Sequence, residues 1–348
     1  MIPESMLAAR FLEPNAPVRI ERIPVPGPGP LDVLVKVEAC GICLSDVHLI
    51  DGSIPAVKQP VIPGHESAGV IAQVGGLVTG WTQGERVSLM GGRRCGRCGR
   101  CTAGRPESCE GPEIMGFHYD GAWAEYVVVP YYALSKVPDH VPLEQAAILA
   151  DAVATPYAAL TERAGLRPGE TIGLWGIGGL GTHAVQIARM VGARLIVAID
   201  PKPSARLRAM AIGADLALDP HADNVIGAIK NATGGEGLNV AVDLVGSNTV
   251  LKEAVGSLAI GGRAVIVGMS MDRVELGPAL LMSVQSQSVL GHLGYDKRHL
   301  DDLVGLVGTG RLDVSGSISN VVGLEDINEG VRMLADKEGD PIRIVVKP

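Results

Sequence analysis

Aromatic side chains are scarce, at 3% of 348 residues, which argues against a pocket built by stacking rings. Positive charge is not in excess. The formal net charge is −8, and a chain of that sign disfavours a broad nucleic-acid or membrane-surface partner. Long apolar runs are missing. No stretch of about 18 residues is free of polar groups, so no membrane span is expected. The N-terminus, MIPESMLAARFLEP, has no cationic stretch followed by an apolar run. No signal peptide is therefore expected, and the cytoplasm is the default compartment. There are only six cysteines, which in that compartment serve metal more readily than disulfides. No internal repeat at solenoid periods is present.

Glycine (46 residues) and proline (23) are plentiful and spread along the chain, the composition of many tight turns and close backbone approaches. A hydrophobic share of 47% over this length suits two globular domains with full cores. The first 150 or so residues alternate short strands with Gly and Pro: Asp32–Val37, Val70–Val74, Arg86–Met90 and Glu125–Val129. That is the pattern of an antiparallel, barrel-like β domain. After about Asp151, strands and helices alternate. Helices are expected at 152–164, 180–191, 204–212 and 248–259, and strands at 171–175, 195–199, 240–244, 264–267 and 288–290. The reading is α/β, with a doubly wound parallel sheet as the second domain. The tail from about His292, with a helix at 297–307, is expected to return to the first domain. The expected boundaries are therefore 1–152 with 292–348, and 153–291.

Gly176, Gly178 and Gly181 fit GxGxxG, with Ile177, Gly179 and Leu180 between them. The run follows an expected strand and opens an expected helix, the context that gives this motif meaning. The glycines allow a tight turn, backbone contact with a pyrophosphate and close helix–strand packing, while the helix N-terminus supplies N–H groups. Asp200, at the end of the next strand, can accept bonds from ribose hydroxyls and would repel a 2′-phosphate, which favours NAD over NADP. Lys202 and Arg206 follow closely and can soften that preference. The alternative for Asp200 is a turn cap.

Cys95, Cys98, Cys101 and Cys109 lie in one lobe, 93–110, with two residues between the first three neighbours. Four thiolates close a tetrahedral Zn²⁺ site with no open position, so this site is expected to be structural. Arg93, Arg94, Arg97, Arg100 and Arg105 surround it. They read as a solvated surface offsetting thiolate charge, with a nucleic-acid contact as the alternative.

A second set comprises Cys40 and Cys43 in CGICLSDVH, His65 and Glu66 in PGHESAG, and Asp151 in LADAVATPY. The two cysteines can also be read as a redox pair or as buried side chains. One sulfur, one imidazole and one carboxylate together would make a three-ligand zinc site with its fourth position free.

With Gly75 after the His-Glu motif and Arg343 near the end, these pieces stand in order over essentially the whole chain, which resembles the zinc-dependent medium-chain alcohol dehydrogenases. The resemblance implies a GroES-like catalytic domain and a Rossmann domain with the active site in the cleft between them. Two zinc ions per chain and NAD(H) follow. It implies catalytic zinc on Cys40, His65 and Asp151, with Cys43 outside the set and Glu66 as neighbour or exchanging ligand. Asp151 stands where many members carry cysteine. The resemblance also places Ser45 at the substrate oxygen, His48 at the outer end of a proton relay, Thr155 near the nicotinamide and Arg343 at the pyrophosphate. The expected substrate is an alcohol or its carbonyl, and the expected assembly a homotetramer or, second, a dimer. Alternatives are a polyol or sugar dehydrogenase and a zinc-free enone or quinone reductase of the same superfamily. A non-catalytic zinc- or nucleotide-binding protein is more remote.

Overall fold

The computed structural model describes residues 1–105, 108–271 and 273–348. Two positions of the expected zinc lobe, 106 and 107, lie outside the described residues. The chain divides into two compact units, Met1–Ala152 with Asp296–Pro348, and Val153–Tyr295. The first unit resumes at Asp296.

The first unit is built on a seven-stranded sheet whose central strand is Asp32–Ile42. That strand pairs antiparallel with Glu66–Val74 on one side, and with Tyr126–Pro130 and Arg343–Lys347 on the other. Arg86–Leu89 and Leu134–Lys136 extend one edge, and Ile318–Gly323 the other. The antiparallel pairing is broken only where Ile318–Gly323 runs parallel to Arg343–Lys347. The β-branched run of the central strand ends at Val37, yet pairing continues to Ile42, where Val345 and Val346 face Gly41 and Cys40. Tertiary pairing has overridden the weak strand propensity of Glu38–Gly41. The next residue, Cys43, is the N-cap of the helix Leu44–Ile50.

The second unit is a six-stranded sheet in the order Leu216–Leu218, Leu195–Ile199, Thr171–Trp175, Leu238–Asp243, Leu258–Ile266, Ser288–Gly291. All its pairings are parallel. The order reverses direction between Thr171–Trp175 and Leu238–Asp243, the place where such sheets leave a crevice at their carboxyl ends. One face packs around Trp175, Val197, Ile199, Leu238, Ala241 and Leu251. The sequence pattern did not show the short strand Leu216–Leu218 or the helix Val225–Ala232. The helix expected at 152–164 is divided, with π-helical turns at Leu149–Val153 and Ala159–Arg163 around Ala154–Ala158.

The glycine loop opens the helix Gly179–Val191. Gly176 has φ of +91°, and a Cβ on Gly181 would lie 1.9 Å from the Gly176 carbonyl oxygen. A Cβ on Gly178 would meet nothing within 4 Å. Gly181→Ala is therefore expected to cost about 2–3 kcal/mol and to lower the melting temperature measurably. Gly178→Ala is expected to leave it nearly unchanged. Thermal melts of the two variants check this contrast.

Candidate active site and metal centres

The potential ligand atoms of Cys43, His65, Glu66 and Asp151 all lie within 4.8 Å of one another. They come from three local devices. Cys43 caps a helix, and His65 and Glu66 lead into the strand Glu66–Val74. Asp151 sits on the π-helical turn Leu149–Val153, a distortion that often accompanies functional residues. Cys43 Sγ is 3.4 Å and His65 Nε2 3.8 Å from Asp151 Oδ2.

The sequence reading placed Cys40 among the ligands and Cys43 outside. The structure reverses the two. Cys40 is enclosed within the sheet, opposite Ser67, with its sulfur beside Gly64 and Trp123. Cys43, just beyond the strand, is the one whose sulfur joins the cluster. Cys40 had been placed in the set by the resemblance alone; the strand continues to Ile42 and encloses it.

Asp46, which the sequence reading quoted without a role, is fully buried. It accepts N–H bonds from Cys43 at 2.9 Å and Gly64 at 3.3 Å, and its Oδ1 stands 3.4 Å from His65 Nδ1. Its signal was the capping position three residues after Cys43. It fixes the helix cap and steers Nε2 of the ring toward the cluster, the arrangement expected of a carboxylate behind a metal-binding imidazole.

Arg343, expected at the cofactor pyrophosphate, is buried and spends its Nε and Nη2 on Glu66 at 3.0 and 2.7 Å. Its Nη2 is also 3.8 Å from Cys43 Sγ and 3.9 Å from Asp151 Oδ2. Arg343 thus stands as the counter-charge to Glu66.

The field at this cluster favours positive charge. Burial alone would lower the His65 pKa, yet Asp46 and Asp151 push it well above the usual imidazole range. Burial raises the Cys43 thiol and Arg343 opposes it. A divalent cation would be drawn by the same field and would take the sulfur as thiolate. Sulfur, imidazole and carboxylate are a donor set that zinc accepts.

Ser45 Oγ lies 3.2 Å from His65 Nε2, at the edge of the cluster. His48 is one turn further along the same helix, partly exposed, with Nδ1 3.5 Å from Asp51.

In the lobe, the four sulfurs of Cys95, Cys98, Cys101 and Cys109 also lie within 4.8 Å of one another. Backbone N–H groups of Cys95 and Cys101 point at the sulfurs of Cys109 and Cys98 at 3.4 and 3.5 Å. Donors from Glu110 and Cys101 hold the Cys98 thiol down at about 6. Desolvation and the neighbouring thiols push Cys101 up to about 12. Four crowded thiols cannot all ionise alone, and a zinc ion removes the conflict.

In the second unit, Asp200 Oδ2 accepts the N–H of Ile177 inside the glycine loop at 2.7 Å. Its Oδ1 accepts the N–H of Lys202 at 2.8 Å. Thr155 is buried, and its carbonyl lies 3.2 Å from Nε2 of His292.

The chain matches the family model of the alcohol dehydrogenase GroES-like domain over residues 29–139, and that of the zinc-binding dehydrogenases over residues 179–308. It is 32% identical to an NAD-dependent alcohol dehydrogenase of Sulfurisphaera tokodaii, over 94% of this chain and 95% of that one. It is 29% identical to an L-threonine 3-dehydrogenase of Chelativorans sp., covering 95% and 96%. Among solved structures, one from Sinorhizobium meliloti 1021 bound to NADP superposes with a TM-score of 0.92 at 29% identity, over 99% of this chain and 100% of that one. The chain belongs to the zinc-binding alcohol dehydrogenases of the medium-chain dehydrogenase/reductase superfamily and is an oxidoreductase.

Two measurements test the metal assignments. Zinc content of Cys43→Ser is expected to fall by one ion per chain while Cys40→Ser keeps both; the opposite result contradicts the geometry. Cys101→Ser is expected to lose the other ion and to lower the melting temperature before it lowers activity in protein that remains folded. Unchanged heat stability would contradict a clasp.

Proposed function

We propose that this protein is an NAD-dependent zinc alcohol dehydrogenase that interconverts a secondary or medium-chain alcohol and its carbonyl compound. The observation that carries the reading is the convergence of Cys43, His65 and Asp151, with Glu66 in the same cluster and bonded to Arg343. Such a set leaves a coordination position for a substrate oxygen.

Zinc held by these residues would supply a Lewis acid favouring the ionised form of a hydroxyl, and a bound nicotinamide would supply the hydride acceptor. The chain's own residues orient and move the proton. Asp46 fixes the His65 ring, and Arg343 holds Glu66 by two bonds while burial pushes that carboxyl up to about 8. Ser45 and His48 occupy positions i and i+3 of the helix Leu44–Ile50, so they lie on one side of it. We assign Ser45 to receive the substrate hydroxyl proton and His48 to pass it outward, since imidazole exchanges protons near neutral pH. Thr155 belongs with the nicotinamide end of the cofactor site in this reading.

NAD as the preferred cofactor is supported by Asp200. Its carboxylate uses two acceptor positions on backbone N–H groups. The remaining lone pairs suit the vicinal ribose hydroxyls.

A homotetramer built on dimers is the proposed assembly. Ser288–Gly291 is an edge strand, and Ile260, Leu280, Leu281, Val284 and Leu293 are exposed in the same unit. Exposed apolar residues of this kind are a feature of interfaces. Among the described residues no helix is long and apolar enough to cross a membrane. We place the protein in the cytoplasm.

The test is a screen of secondary and primary alcohols, polyols, L-threonine and the matching carbonyls with zinc-replete protein, following NADH absorbance. Turnover with an alcohol is expected, faster with NAD than with NADP. Ser45→Ala is expected to lower kcat by about 100-fold, and His48→Gln to flatten the pH–rate profile. No turnover across the panel would contradict the reading. An unchanged kcat or pH profile would remove that residue from the relay.

A further inference from the structure

The strand Leu195–Ile199 ends beside the shorter strand Leu216–Leu218. The residue that follows each is an aspartate, Asp200 and Asp219. Between them lies Arg206, from the helix Pro203–Ala211. One of its nitrogens, Nη1, donates to the carbonyls of Asp200 at 2.7 Å and Pro201 at 2.8 Å, and stands 3.1 Å from Asp219 Oδ2. The other Asp219 oxygen accepts the N–H of His221 at 2.9 Å. The Asp219 carboxyl is held below the usual carboxylate range by that N–H, with Arg206 adding to the effect. The partner of the arginine is thus both charged and fixed in place.

The sequence alone left Arg206 as a cation that could receive a 2′-phosphate. In the structure its charge is already answered. A phosphate arriving at the ribose position of Asp200 would face two carboxylates and one guanidinium committed to one of them. Arg–carboxylate pairs at part-exposed positions contribute little to stability. This one therefore matters more for where it leaves charge than for holding the fold together.

We propose that Asp219 is a positioning residue for cofactor choice: by holding and neutralising Arg206 it denies a 2′-phosphorylated nucleotide its cationic partner. Asp200 disfavours the 2′-phosphate directly, and Asp219 ties up Arg206, one of the two nearby cations, with Lys202, that could otherwise compensate. This rests on reading the Gly176–Gly181 loop as the dinucleotide site and Asp200 as the ribose acceptor.

Calorimetric titration of the full-length, zinc-replete protein with 5′-ADP and with 2′,5′-ADP tests it without relying on turnover. Asp219→Asn keeps the size of the side chain and removes its charge. It is expected to bind 2′,5′-ADP about tenfold more tightly than wild type, the effect of one charge-assisted contact. Its affinity for 5′-ADP should stay within about twofold. Asp219→Glu should restore the wild-type ratio, and adding Arg206→Gln to Asp219→Asn should erase the gain. Arg206→Gln alone should leave wild-type 2′,5′-ADP affinity unchanged.

An Asp219→Asn ratio equal to wild type, or a gain that survives in the double variant, overturns the proposal. So does a large loss in Arg206→Gln alone, since Arg206 would then already serve the phosphate. Wild-type protein that binds neither nucleotide overturns the loop assignment and this proposal with it. Wild-type protein that prefers 2′,5′-ADP overturns the NAD reading itself.

Discussion

The buried ion pair between Glu66 and Arg343 is the constraint around which the first unit is arranged. Moving a carboxylate and a guanidinium out of water costs several kcal/mol for each ion. The pair is tolerated because it is bidentate, with both Glu66 oxygens in use. It joins distant parts of the chain, since Glu66 begins one strand and Arg343 begins the last. Both strands flank Asp32–Ile42, so the pair sits where that strand ends and Cys43 begins. The metal-ligand cluster is built on the same spot.

That placement explains why a cation belongs there. Around His65 stand Asp46, Glu66 and Asp151, with Arg343 as the compensating charge. Burial disfavours a charged imidazole there, and the carboxylates of Asp46 and Asp151 oppose that penalty. Zinc satisfies that field and the donor preferences of sulfur, nitrogen and oxygen together. The four-cysteine lobe solves a different problem with the same ion. Its sulfurs occupy all four positions and leave none for chemistry. Glycines let the chain turn sharply into the helix Gly179–Val191, and Asp200 ties the loop to the neighbouring strand through Ile177.

Much of this was legible in the sequence. Periodicity and glycine placement gave the parallel sheet and the glycine turn that opens the helix Gly179–Val191. Cysteine spacing gave the lobe, and His65, Glu66 and Asp151 were named as a group. What was not legible has identifiable causes. Cys40 and Cys43 are equivalent as residue types, and only the length of the central strand decides which sulfur reaches the cluster. That length is set by pairing with Val345 and Val346, some three hundred residues away. Arg343 could not be paired with Glu66 for the same reason of sequence distance. Asp46 was visible in its motif, but its bonds to Cys43, Gly64 and His65 exist only once the turn is folded. Leu216–Leu218 was too short to produce a pattern, which hid Asp219 and with it the state of Arg206.

The central claim is that the catalytic ion is held by Cys43, His65 and Asp151, with Cys40 outside the site. Anomalous scattering at the zinc edge from crystals of the zinc-replete protein tests this most directly. Two peaks per chain are expected. One should lie among the four lobe sulfurs, and the other about 2.3 Å from Cys43 Sγ and in bonding reach of His65 Nε2 and an Asp151 oxygen. A second peak bound by Cys40, or none outside the lobe, would contradict the account.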